Sequence, residues 1–415
     1  MLKVDDINLT DPDFWRLPLE HRNEAFKALR REPRLVHFEE PDVKIVPQGP
    51  GYYALTRHAE VQEASRRPQD FCSGRGAISI PDMPGELNEY FGSMINMDDP
   101  RHAKIRRIVS RAFSPRMIQQ FEDKVQQVAA DLTARVKAGE GTGDFVADIA
   151  ARLPLRIICD MMGISPDHHR TVLDATNVIL AGNDPEFLPA DDFERAALAL
   201  MEAGQTLKDL VEELARHRRA EPTDDLTSAL VNANIDGESL TDQELGSFFI
   251  LLVVAGNETT RNAIAHGLDL FTRHPDQRAL LVDDFEGRIA GAVEEIVRYV
   301  SPVIWMRRTA TRDTTLLDHE IKEGDKLLLY YWSANRDETV FTDPERFDIL
   351  RDPNPHVGFG GPGPHFCLGA HLARREITVM FRELLRSMPD IRADGEPDRL
   401  ESSFINGIKR LPYTL

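Results

Sequence analysis

The chain has 415 residues, 41% of them hydrophobic, with 69 acidic against 50 basic side chains and a formal net charge of −19. That length holds a sizeable core, in one large domain or in two or three ordinary ones. The acidic balance argues against nucleic acid and against an anionic membrane surface as partners.

In chain order, Met1-Leu-Lys-Val-Asp-Asp carries no basic-then-apolar signal pattern. Leu35-Val-His-Phe and Gly51-Tyr-Tyr-Ala-Leu-Thr read as short strands, followed by a helix near Ala59–Ser65. From Phe71 to Pro100 glycines and prolines punctuate a long irregular stretch, the pattern of a binding loop or lid. Its apolar members, among them Ile78, Ile80 and Met94, either line a pocket or simply pack. Asp98-Asp99-Pro100-Arg101-His102 then opens a helix, on which His102 and Arg106 share one face at i, i+4. On spacing alone they read as a surface pair.

Residues 116–220 are mostly amphipathic helix, with a stop at Gly163. The segment Val172–Met201 breaks around Gly182-Asn-Asp-Pro185, as a mobile roof over a channel would. Leu240-Thr241-Asp-Gln-Glu244-Leu245 is a capping box with a hydrophobic staple, and Pro275 is the stop, which predicts a helix of about 32 residues. Its middle, Phe248-Phe-Ile-Leu-Leu-Val-Val-Ala255, is apolar on every face and belongs in a core; it is too short to span a bilayer. Into it the sequence sets Ala255-Gly256-Asn257-Glu258-Thr259-Thr260. A buried carboxylate is costly unless paired or used, and an acid beside an alcohol can relay protons through water.

Glu295 and Arg298 lie one helical turn apart, which by itself is a weak signal. Ser301 to Ala310 reads as extended. The three cysteines, Cys72, Cys159 and Cys367, draw neither a disulfide framework nor a zinc pattern, which suits a reducing cytoplasm. Cys367 closes the loop His356-Val-Gly-Phe-Gly-Gly-Pro-Gly-Pro-His-Phe-Cys and stands where a helix begins, where unpaired amides favour a thiolate. Gly360, Gly361 and Gly363 allow tight turning and close approach to a flat ligand, and Phe359, Phe366 and Leu368 are placed to shield the sulfur. Gly358-x-Gly360-x-x-Gly363 imitates a dinucleotide fingerprint, but Asp352-Pro-Asn-Pro replaces the preceding strand and Glu383 falls inside a helix.

This loop resembles the cysteine-ligand loop of the cytochrome P-450 family, in which a Cys thiolate holds haem iron. Phe359 lies one residue further from Cys367 than the usual pattern, a form similar to an actinobacterial group acting on methyl-branched lipids and sterols. Ala255–Thr260 resembles the same family's oxygen-activation motif. The resemblance implies one mainly α domain over residues 1–415 with a small β region (α+β), about 34–58 and 303–331, in the cytochrome P-450 fold. Haem b would lie between the long helix and the helix after the Cys loop, with Cys367 as metal ligand. It implies proton delivery by Glu258 and Thr259, and haem contacts from His102, Arg106, Arg308, His365, Phe359 and Gly369, with Arg307 the neighbour most easily confused with Arg308. Glu295, Arg298 and Arg346 would form a structural network. Candidate pocket residues are Ile78, Ile80, Met94, Val253, Val254, Val303, Trp305, Phe404 and Ile405. The implied reaction is insertion of one oxygen of O2 into a C–H bond of a lipophilic substrate: a methyl-branched lipid, an isoprenoid or a sterol side chain. Electrons would come from a ferredoxin and its reductase, with Arg106, Arg107, Arg374 and Arg375 as a local basic face. A cytoplasmic monomer with no membrane anchor is expected. The alternatives are a hydroxylase of a terpene or macrolide, a peroxide-driven enzyme, and a non-catalytic haem-thiolate binding protein.

Overall fold

A computed structural model describes residues 3–43, 46–112, 115–182, 184–189, 192–234 and 237–415. Asn183, in the expected roof break, lies outside them. The fold is built on one unbroken 32-residue helix, Asp242–Arg273. Its start is fixed chemically: the Thr241 hydroxyl accepts from the Glu244 amide at 3.1 Å, and the Glu244 carboxylate accepts from the Thr241 amide at 3.0 Å. Pro275 opens the next helix, Pro275–Asp283. Helices Arg152–Met162, Phe193–Ala220, Phe285–Val300 and Ala370–Ser387 pack round the central one. The all-round apolar pattern therefore reflects burial on nearly every face, from Leu245 to Phe271.

A five-stranded sheet stands to one side, in the order Val36–Phe38, Tyr52–Leu55, Lys326–Tyr330, Trp305–Ala310, Phe71–Cys72. Tyr52–Leu55 runs parallel to Lys326–Tyr330 and the other pairs are antiparallel. The stretch 71–100 is more ordered than its punctuation predicts: Gly85–Gly92 is a helix and Ser93–Asn96 a 3-10 turn. Asn96 ties them together, donating to the Asn88 carbonyl at 2.8 Å and accepting from the Ala77 amide at 2.7 Å. Arg307, fully buried, gathers the rest by donating to the carbonyls of Arg75, Ser79, Ile80 and Pro81 and pairing with Asp82.

Glu295 and Arg298 face each other with no exposure to water, joined by bonds of 2.7 and 2.8 Å. Arg298 also donates to the carbonyls of Asn335, Pro344 and Arg346. The expected third member contributes only that carbonyl, since the Arg346 side chain is exposed. The guanidinium that reaches Glu295 is Arg351, through Nε at 3.2 and 3.3 Å. Arg351→Ala should therefore cost roughly 1.5–3 kcal/mol, the range for hydrogen bonds to charged groups. Arg346→Ala should stay within about 0.5 kcal/mol, as exposed substitutions do. Chemical denaturation of both variants checks this.

Candidate active site

A cavity of about 480 Å³ lies between the central helix and the Cys367 loop. The helix presents Phe248, Leu251, Leu252, Ala255, Gly256, Thr259, Thr260 and Ala263 to it, a stripe at the helical period. Val253 and Val254 fall off that stripe, Val253 fully buried and Val254 packed against the same core cluster. Gly256 matters here because a Cβ would meet Ile158 Cδ1 at 3.3 Å on the opposite wall. Ile95, Ile158 and Met161 complete an apolar roof.

Of the expected pocket residues, Met94 and Val303 line the cavity. Trp305 does not, because strand alternation turns Met306 and Arg308 inward and Trp305 outward. Trp305 instead packs edge-on against Phe404 at 5.0 Å, in a core cluster that includes Ile80. Ile405 is buried behind the wall, bridged to Val303, and Ile78 is half-buried away from it. Helix and strand phase, which hydrophobicity alone does not report, decide these positions.

Cys367 opens onto the cavity, and its amide donates to the Phe359 carbonyl at 2.9 Å, closing the loop. The glycines serve the loop's packing on protein: a Cβ on Gly361 or Gly363 would collide with Ser65 of helix His58–Arg66, and one on Gly358 would meet Val297. The helix after the loop begins at Ala370, with Gly369 as its cap. Burial raises the Cys367 thiol pKa. The amides of Gly369 and Ala370, with Arg106 and Arg374, oppose that rise and are the groups that would favour its thiolate. Phe366 and Leu368 line the cavity, and Phe359 stacks under Arg374 at 4.3 Å.

At one corner His102, Arg106, Arg308 and His365 meet on the cavity wall. The two imidazoles are tilted together with centroids 4.3 Å apart. His102 Nδ1 lies 3.2 Å from Asp99, and its buried Nε2 has no partner among the described residues. Burial lowers the His102 pKa, and burial together with Arg308, His102 and Arg106 pushes His365 down to about 2. Arg106 donates to the Phe366 carbonyl at 2.7 Å. Two guanidiniums, neutral imidazoles and an orphaned ring nitrogen facing one cavity suit a ligand with carboxylates at its edge. Of the four arginines expected to make a basic face, Arg106 and Arg375 line the cavity, while Arg107 and Arg374 pair with Glu238 and Glu294.

Glu258 and Thr259 are separated by the helix that carries them. The Thr259 hydroxyl donates to the Ala255 carbonyl at 2.8 Å and faces the cavity. Glu258, 1% exposed, is off the wall: one oxygen is held by Arg261 and by Asn262, and the other has no partner among the described residues. Successive helical positions diverge by 100° about the axis, so an adjacent acid and alcohol need not touch. Among the described residues Glu122 and Glu376 bring carboxyls to the cavity, and the sequence reading singled out neither. For Glu376 its position within an apolar helix face was the available signal.

A cysteine opening on a cavity, an alcohol on the long helix across from it and a cationic corner beside both define a haem protein of the thiolate-ligated class. The cytochrome P-450 family profile matches residues 61–284 and 289–409, and the chain belongs to that family. It is accordingly a haem-dependent monooxygenase. It is 49% identical to the methyl-branched lipid omega-hydroxylase of Mycobacterium tuberculosis over 99% of this chain and 95% of that one. It is 41% identical to the steroid C26-monooxygenase of Mycolicibacterium smegmatis, covering 96% and 91%. A Mycobacterium marinum cytochrome P-450 solved with pseudoionone superimposes with a TM-score of 0.93 over the full length of both chains, at 40% identity.

The two adjacent arginines separate experimentally. Arg308→Leu should lower haem retention on gel filtration by roughly tenfold or more, since a charge-assisted bond lost in a dry site costs about 1.5–3 kcal/mol. Arg307→Leu should instead lower the unfolding midpoint, by releasing the 75–82 loop.

Proposed function

We propose that this enzyme hydroxylates the methyl-branched end of a lipophilic chain, a fatty, isoprenoid or steroid side chain. The observation that carries this reading is the apolar roof over Thr259, formed by Phe248, Leu251, Leu252, Ile95, Ile158 and Met161. Such a wall selects by shape and burial rather than by charge. The likeness to a methyl-branched lipid omega-hydroxylase and to steroid C26-monooxygenases, over nearly the whole chain, supports the same substrate class.

In this proposal Cys367 ligates the haem iron, and bound haem supplies the O2 binding and redox chemistry. His102, Arg106, Arg308 and His365 take the haem carboxylates, with Phe359 and Gly369 framing the thiolate. Thr259 holds a proton donor at the cavity, and Glu258 feeds it only through intervening water or after leaving Arg261. Glu295, Arg298 and Arg351 hold the loop. The chain acts as one haem-binding domain, a cytoplasmic monomer fed by a ferredoxin and its reductase.

Methyl-branched fatty acids and cholestenone-type sterols should each displace iron-bound water, seen as a spin-state shift in the Soret band, and should yield terminally hydroxylated product with a ferredoxin system. If terpenes or macrolides do so and these lipids do not, the substrate assignment fails. Thr259→Ala should cut product by at least roughly tenfold while peroxide release rises, because a positioned proton-transfer group is lost. A peroxide-driven enzyme or a haem-binding module would barely change.

A further inference from the structure

Behind the cysteine loop, off the cavity wall, Glu294 of helix Phe285–Val300 ties three elements together. Its carboxylate accepts from Arg374 of helix Ala370–Ser387 through Nε at 2.5 Å and Nη2 at 2.9 Å, a bidentate pair. It also meets His356 Nε2, in the cysteine loop, at 2.9 Å. The other ring nitrogen of His356 accepts the Gly358 amide at 3.1 Å. A backbone N–H can only donate, so Nδ1 is bare and Nε2 carries the hydrogen given to Glu294. The guanidinium so held lies 4.3 Å over the Phe359 ring, and the Phe359 carbonyl accepts from the Cys367 amide at 2.9 Å. The Arg374 and Glu294 side chains are 38% and 30% exposed, so burial does not force this pairing as it forces Glu295–Arg298. Burial opposes ionisation of Glu294, but bonds from Arg374 and His356 overcome it and push the carboxyl pKa down to about 2, which leaves an anion at neutral pH.

We propose that Glu294 is a positioning residue of the monooxygenase: it holds Arg374 against the cysteine loop and cancels part of that guanidinium's field at the Cys367 sulfur. The inference rests on Cys367 ligating the haem, as proposed above, and not on which lipid is oxidised. A thiolate serves as an iron ligand by donating electron density, and an unbalanced cation beside it opposes that donation. Two guanidiniums act on the sulfur, Arg106 from the cavity side and Arg374 from behind the loop. Without Arg374 the buried sulfur would take a proton more readily, and with Arg374 unopposed it would donate less. Glu294 sets the balance between these two effects, and the His356 bond orients its carboxylate from within the loop itself. The other carboxylates of that helix are engaged elsewhere: Glu286 with Arg382, and Glu295 with Arg298 and Arg351.

Equilibrium reduction of the holoenzyme with a chemical mediator tests this without substrate or ferredoxin. At one fixed potential Glu294→Gln should raise the ratio of ferrous to ferric protein several-fold, because an uncovered cation favours the added electron. Arg374→Gln should lower the ratio, because it leaves an anion in place of the pair. The double variant should return close to wild type, the coupling expected of two charges that act on the same centre. Glu294→Asp should lie between wild type and Glu294→Gln. The reduced carbon monoxide spectrum should keep the thiolate band in wild type and in Glu294→Gln, and gain a thiol-ligated fraction in Arg374→Gln, whose sulfur has lost a nearby cation. A brace with no electrostatic role would move both single variants the same way. That result, or an unchanged ratio in Glu294→Gln, overturns the proposal. Should Glu294→Gln fail to fold, Arg374→Gln and Arg374→Lys decide: the ratio falls in the first and stays near wild type in the second, or the proposal is wrong. Absence of the thiolate band from wild type would instead strike the Cys367 assignment, which the comparison among variants leaves separate.

Discussion

The Glu295–Arg298 pair is removed entirely from water, and the half of the molecule that carries the cysteine is arranged to keep it satisfied. Taking two charges out of water is unfavourable unless every remaining lone pair and proton finds a partner. Glu295 accordingly also accepts from the Asp348 amide, from Arg351 and from Asn354, and Arg298 reaches three backbone carbonyls. Those partners lie in the chain that leads to the cysteine loop. Asn335, whose carbonyl Arg298 holds, accepts from the Val357 amide at 2.7 Å; the Val357 carbonyl accepts from Gly360, and the Phe359 carbonyl from Cys367. The sulfur's position is thus four hydrogen-bonded steps from a buried ion pair that cannot relax without exposing a charge.

The opposite wall is set by a different physics. The central helix is buried on almost all sides, so its one unfilled stripe is fixed by how neighbouring helices close around the rest. Small residues on that stripe, Ala255, Gly256 and Ala263, leave the space that Phe248, Leu251 and Leu252 then roof. Loop glycines at 361 and 363 press the cysteine loop onto Ser65, so the space between the two walls is held from both sides.

What the sequence made legible follows from this division. The capping box, Pro275, the Gly163 stop and the cysteine loop are local chemistry, and the central helix begins and ends where they require. The third partner of Glu295 was misplaced by five residues, because nothing local distinguishes Arg346 from Arg351 until the chain turns back on the ion pair. The pocket was misread in phase: Trp305 for Met306 on a strand, Val253 and Val254 for Leu251 and Leu252 on a helix. Along a segment apolar on every face, periodicity carries no phase, and only the surrounding packing supplies it. The glycines were legible as close approaches but not as approaches to protein.

The cavity's electrostatics explain why its cationic corner holds two arginines and two histidines rather than four permanent charges. With Arg106 and Arg308 nearby, protonating His365 would add a third positive charge to a desolvated corner, and its pKa falls accordingly. His102 is held down by burial in the same way. The imidazoles therefore contribute hydrogen-bonding nitrogens without charge, leaving two guanidiniums to balance the two carboxylates that the proposed haem site must accept. Such a match keeps the corner near neutrality when filled, which limits the desolvation cost that an excess of either sign would impose.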